Sequence, residues 1–91
     1  MEAVKMDRRH DDLLTARLET ILDKGVTYIT WNEIYRWYGV QKIAANTYRD
    51  IKSRWQEISQ GKLGMLKAVN IPYTGGVYLI AEKHIKPFFD E

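Results

Sequence analysis

Ten residues in the first half of the chain, TWNEIYRWYG from Thr30 to Gly39, restrict the fold more than any other stretch. Thr30 and Glu33 have the spacing of a capping box, in which a hydroxyl at the N-cap accepts from the third helical amide and the carboxylate reaches back to the N-cap amide. Gly39 suits the left-handed position that closes a helix. The spacing therefore predicts a short helix over Trp31–Tyr38 with both ends specified locally. Trp31, Ile34, Tyr35, Trp37 and Tyr38 make it apolar over most of its circumference. A helix with one apolar stripe can lie on a surface, but one that is apolar nearly all round needs cover on several sides. The rest of the chain must sandwich it.

The neighbouring stretches offer that cover. In DRRHDDLLTARLETILDKG, Leu14, Leu18, Ile21 and Leu22 recur at helical spacing, which predicts an amphipathic helix. Asp11 and Asp12 suit its early turns as capping residues, and Lys24 and Gly25 read as its end. VTYIT, β-branched and short, reads as a strand or an extended connector. A third helix is predicted from about Gln41 to Gln60, with Ala44, Tyr48, Ile51, Trp55 and Ile58 as its core stripe and with Gly61 and Gly64 ending it. KLGMLKAV and VYLIAE read as strands joined by NIPYTGG, Asn70 to Gly76, whose proline and paired glycines point to a hairpin. In the tail KHIKPFFDE, Pro87 breaks any helix, and Phe88 and Phe89 are expected to pack on the domain or on a partner.

With 91 residues the chain is expected to form a single domain over 1–91, its core at about 11–82 and tails at 1–10 and 83–91. The 11 aromatic side chains are enough to pack a small core without staples, and cysteine is absent, which excludes disulfides and thiolate metal sites. No apolar run approaches the ~20 residues that cross a bilayer. The charged N-terminus carries no apolar signal core, so a cytoplasmic location is expected. His10 and His84 stand far apart. No phosphate-cradling glycine loop, zinc-binding helix motif or nucleophile elbow is present, so neither an enzyme nor a cofactor or metal is expected.

Net charge is only +2, but its distribution is uneven. Between Arg36 and Lys67 seven cations stand against two anions, whereas the remainder holds seven cations and ten anions. Positive charge gathered in the middle third is the footprint expected of a surface for a polyanion.

The predicted order, α-β-α-α-β-β, resembles the winged helix-turn-helix fold, an α+β class with three helices and a C-terminal β-hairpin wing. EIYRWYGV followed by NTYRDIKSRW resembles the helix-turn-helix of bacterial and viral winged-helix repressors, through Gly39 and Val40 and then Asn46, Thr47, Tyr48 and Arg49. QKIAA separates the two parts by more than the common motif does, so either the helix begins earlier or the turn is longer. The resemblance covers roughly Leu13 to Ile80 and implies a sequence-specific binder of double-stranded DNA, a small transcriptional regulator of the kind a virus or plasmid encodes. Helix 41–60 would enter the major groove, presenting Lys42, Asn46, Arg49, Lys52, Ser53 and Gln56. Arg pairs with guanine and Asn or Gln with adenine, while Ser and Lys suit phosphate. Asn32 and Arg36 on the second helix, and Tyr73 and Thr74 in the wing at 70–76, would contact the backbone, with Lys62 and Lys67 flanking the wing. A module this small is expected to act as a homodimer, through helix 11–24 or the C-terminal tail. Two other readings stay open: a winged-helix adaptor for a protein partner, and an accessory of replication or packaging that binds DNA without sequence preference.

Overall fold

A computed structural model describes residues 6–86. The tail residues Pro87, Phe88 and Phe89 lie outside the described residues. The chain is α+β. It runs α1 (Arg8–Lys24), β1 (Val26–Thr30), α2 (Trp31–Tyr38), α3 (Ala45–Ser59), β2 (Leu66–Val69) and β3 (Gly76–Ala81), and ends in a 3-10 turn, Glu82–His84.

The three strands form one antiparallel sheet in the order β1-β3-β2. β3 is central and is the most buried strand, its inward positions being Val77, Leu79 and Ala81. The stretch VTYIT is a strand, pairing Val26 with Ile80 and Thr30 with Gly76. β2 pairs Leu66 with Ala81 and Val69 with Tyr78, forming the hairpin. The helices cover the sheet through Leu14, Leu18 and Ile21 from α1, Ile34, Trp37 and Tyr38 from α2, and Ile51 and Trp55 from α3.

α2 is built as its sequence dictates. The Glu33 amide donates to Thr30 Oγ1 at 3.1 Å and the Thr30 amide donates to Glu33 Oε1 at 3.0 Å, a complete capping box. Gly39 closes the helix at φ 63°. The enclosure that this apolar helix requires comes with a charged strut. Arg17 of α1 donates to the Tyr28 carbonyl (3.0 Å) and to Glu33 Oε1 (3.1 Å), and its guanidinium lies 5.5 Å from the Trp37 ring. One side chain thus ties α1 to β1 and α2. A second strut, Arg54 of α3, donates to Asp50 Oδ2 at 2.7 Å and to Asp11 of α1, while the Tyr38 hydroxyl donates to the same Asp50 oxygen at 2.6 Å.

Four expectations need correction. α3 begins at Ala45, not near Gln41, because Ala44 occupies the N-cap without a side-chain cap bond and nothing nearby nucleates an earlier turn. The longer turn, not an earlier helix, absorbs QKIAA. The core stripe of α3 is Thr47, Ile51, Trp55 and Ser59; Ala44 and Tyr48 are exposed, Tyr48 at 57%. Leu22 is likewise 43% exposed, because three residues of α1 suffice to fill its contact with the sheet. Asp7, not Asp11 or Asp12, caps α1 by accepting from the Arg9 amide, and Asp11 serves Arg54 instead.

Candidate nucleic-acid interface

Rotating the core stripe toward Thr47 fixes what α3 presents outward. At about 100° per residue, Asn46, Arg49, Lys52, Ser53 and Gln56 share one face, and all five are exposed. Arg49 Nη1 donates to Asn46 Oδ1 at 2.8 Å, so these two form a pre-set pair one turn apart. Of the two acids on the helix, Asp50 is turned onto Tyr38 and Arg54, and Glu57 sits at the margin beside Ser53. The face itself therefore carries two cations, two amides and a hydroxyl with no carboxylate among them. Lys42 is exposed in the turn that leads into the helix.

The hairpin brings a second set alongside. A cleft of about 400 Å³ opens between α3 and the hairpin, floored by Ile34, Ile51, Val77 and Leu79. Lys52 borders it from α3 and Lys67 from β2, the pairing of Lys67 with Ile80 turning the Lys67 side chain to the sheet face away from the helices. Trp31, Tyr48, Leu66 and Ala68 complete its apolar lining. Lys67 lies 4.0 Å from Glu82, a loose exposed pair, and Lys62 is exposed in the loop after α3. Asn32 and Arg36 are exposed one helical turn apart on α2. The amides at the start of that helix are largely spoken for: Trp31 donates to the Gly75 carbonyl at 3.0 Å and Glu33 to Thr30. Any anion met there would be held by the Asn32 side chain, not by the helix terminus.

The loop from Asn70 to Gly75 is braced on its return side. The Tyr28 hydroxyl donates to the Thr74 carbonyl at 2.6 Å, crossing directly over Gly76. A Cβ at Gly76 would fall 2.6 Å from both the Tyr28 ring and the Ile29 carbonyl, so only glycine admits this crossing. The Thr74 hydroxyl donates within the loop, to the Ile71 carbonyl at 2.8 Å, and so is spent on the hairpin itself. Tyr73 projects from the tip with its side chain wholly in solvent.

Electrostatics set the anchors apart from the free face. Burial alone would push the Glu33 carboxyl up, but the Arg17 guanidinium and the Thr30 amide and hydroxyl outweigh it and hold it below its ordinary value. Burial and the bond to Asp50 together push the Tyr38 phenol far up, keeping it neutral. Burial works against the Arg54 charge, but Asp50 and Asp11 more than compensate. Arg54 is thus a structural cation. Counting it toward the surface charge of the middle third, as sequence alone invites, overstates that charge.

Sequence reasoning placed Tyr48 inside, and the structure adds it to the exposed residues beside Lys52. The only signal for this was the competing four-residue spacing from Thr47 to Ile51 to Trp55. Among the described residues no group of three or more His, Asp or Glu side chains is placed to hold a metal, and no helix is long and apolar enough to cross a membrane. No family model, curated protein or solved structure matches the chain.

Proposed function

We propose that the protein is a winged-helix DNA-binding module. α3 enters the major groove with Asn46, Arg49, Lys52, Ser53 and Gln56, and the β2–β3 hairpin is the wing, with Lys67 and Lys62 on the phosphates beside it. The observation that carries this reading is the carboxylate-free outer face of α3, whose five side chains are all exposed and carry two cations, two amides and a hydroxyl. Arg49, oriented by Asn46, is the side chain placed to take a guanine edge, and Lys52, Arg36 and Asn32 neutralise or bind phosphate. A single module covers limited DNA surface, so two copies acting on paired half-sites fit a regulator of transcription. α1 leaves Leu13 45% exposed and Leu22 43% exposed on opposite flanks of its core stripe, so a joining surface on this helix would use one of them.

The test is fluorescence anisotropy with duplex DNA at several salt concentrations. About four to six phosphate contacts give a log–log slope of about −4 to −5. Arg49→Ala should weaken a preferred sequence by ~1–3 kcal/mol and flatten the preference while leaving the melting temperature in place. A slope that is the same for every sequence would mark a non-specific accessory. The adaptor reading has one observation of its own, the apolar cleft beside α3, and absence of duplex binding at low salt would put it first.

A further inference from the structure

The hairpin tip does not look like a phosphate clamp. Asn70 to Gly75 contains no cation, and its one threonine hydroxyl is turned inward. What it presents is Ile71, 43% exposed, then Pro72, then Tyr73, whose relative exposure of 106% means that none of the described residues covers the ring. Tyr73 also holds φ at 68°, a left-handed conformation that costs a tyrosine energy. Neighbouring Gly75 takes φ 74° without that cost, so the turn has a glycine available and still places an aromatic in the strained position. Strain of this kind persists only where surrounding bonds over-determine the backbone. Here they do: Tyr28 holds the Thr74 carbonyl, the Trp31 amide holds Gly75, and the Thr74 amide and hydroxyl both reach back to the Ile71 carbonyl. The loop is rigid at its base and bare at its tip.

We propose that Ile71, Pro72 and Tyr73 form a base-stacking wedge. Resting on the DNA-binding reading above, the inference is that the tip enters the minor groove of the duplex gripped by α3. There Tyr73 stacks on a base at a partly opened step, with Ile71 and Pro72 holding the step apart. Apolar side chains inserted in this way unstack and kink DNA, and an aromatic face gains from any base it covers. Flexible pyrimidine–purine steps open at the lowest cost, so the wedge adds a preference for such a step beside the α3 site, at a position where no hydrogen bond reads the sequence. A cation-free tip cannot read the groove by its potential, and an aromatic ring does not need to. Bracing the tip before it meets DNA removes the ordering cost that a loose loop would bear on binding.

The experiment uses duplexes with 2-aminopurine at successive positions outward from the α3 site, a TA step beside it, and the full chain as wild type, Tyr73→Phe, Tyr73→Ala and Tyr73→Gly. The wild type and Tyr73→Phe should raise 2-aminopurine fluorescence at one step. Tyr73→Ala and Tyr73→Gly should lose that signal and bind roughly tenfold to a hundredfold more weakly, with the salt slope unchanged because no phosphate contact is removed. Tyr73→Gly should melt no lower than the wild type, since glycine relieves the strained φ. Wild-type binding with a normal salt slope but no fluorescence change at any position, or Tyr73→Ala binding as tightly as the wild type, overturns the wedge and leaves the DNA reading standing. If the wild type binds no duplex at low salt, both fall, and the bare tyrosine becomes a contact for a protein partner.

Discussion

Trp55 and Tyr73 are opposite extremes of one choice, where a large aromatic is put. Trp55 is fully buried, and its indole N–H donates to the Gly64 carbonyl at 3.1 Å, which pins the loop after α3 to the core. Truncation to alanine opens a cavity in the only core the described residues have, and it should cost ~3–5 kcal/mol. Against a total stability of about 5–15 kcal/mol for a domain, that is a large share. Trp55→Phe keeps much of the packing but leaves the Gly64 carbonyl without its donor, and should cost ~1–3 kcal/mol. Urea titrations of both variants check the ordering; equal losses would mean that the packing kept by phenylalanine contributes nothing, and no loss in Trp55→Phe would mean that the hydrogen bond contributes nothing. Tyr73 contributes no burial at all and sits in a strained backbone. Residues of the first kind specify the fold, and residues of the second kind are explained by what they meet outside it.

At the scale of the element, α2 was readable and α3 only half so. The capping box Thr30–Glu33 and the closing Gly39 depend on chemistry within a few residues, and the sequence displays such chemistry directly. Glu33 also yields a pH dependence. Its carboxyl is held below its ordinary value in the folded chain, so the ionised form stabilises the native state. That contribution is complete above the ordinary glutamate value of about 4.3 and is lost as pH falls through the lowered one. Wild type should lose stability on acidification more steeply than Glu33→Gln, which is weaker at neutral pH but has no such proton to take up. Thermal melts from neutral pH downward show this as converging curves; parallel curves would mean that Arg17 does not favour the charged form. α3 was misplaced at its start because Ala44 carries no capping group. Its face was turned by one residue because Tyr48 outranks Thr47 in hydrophobicity at equally helical spacing. The struts were invisible for a different reason. Arg17 meets Glu33 across 16 residues and Arg54 meets Asp11 across 43, and no local pattern pairs side chains over such distances. The candidate face survived the shift in register because Asn46, Arg49, Ser53 and Gln56 lie away from either version of the stripe, with Lys52 at the edge that borders the cleft.

For the molecule as a whole, the arrangement of charge matters more than its sum. Seven cations between Arg36 and Lys67 suggest a uniform basic surface, but the fold divides them. Arg54 is consumed between α1 and α3, with 19% of its side chain exposed, and its two carboxylates are the reason. Lys52 is exposed at the α3 edge of the cleft, and Lys67, loosely paired with Glu82, is exposed on the outer face of the hairpin, so each is open to a phosphate backbone. The division separates two kinds of loss on mutation. Lys52→Gln and Lys67→Gln should each reduce the steepness of the salt dependence of DNA binding by about one unit and leave the melting temperature nearly unchanged, since exposed lysines add little to stability. Arg54→Gln should do the reverse, lowering the melting temperature because Asp50 and Asp11 lose their counter-charge, while leaving the salt slope of the still-folded fraction as it was. Measuring slope and melting temperature on the same three variants decides whether the middle third is one basic patch or a basic face bolted to a partly buried ion cluster. A slope that drops by one unit in Arg54→Gln would mean the guanidinium reaches DNA and the α1–α3 strut opens on binding.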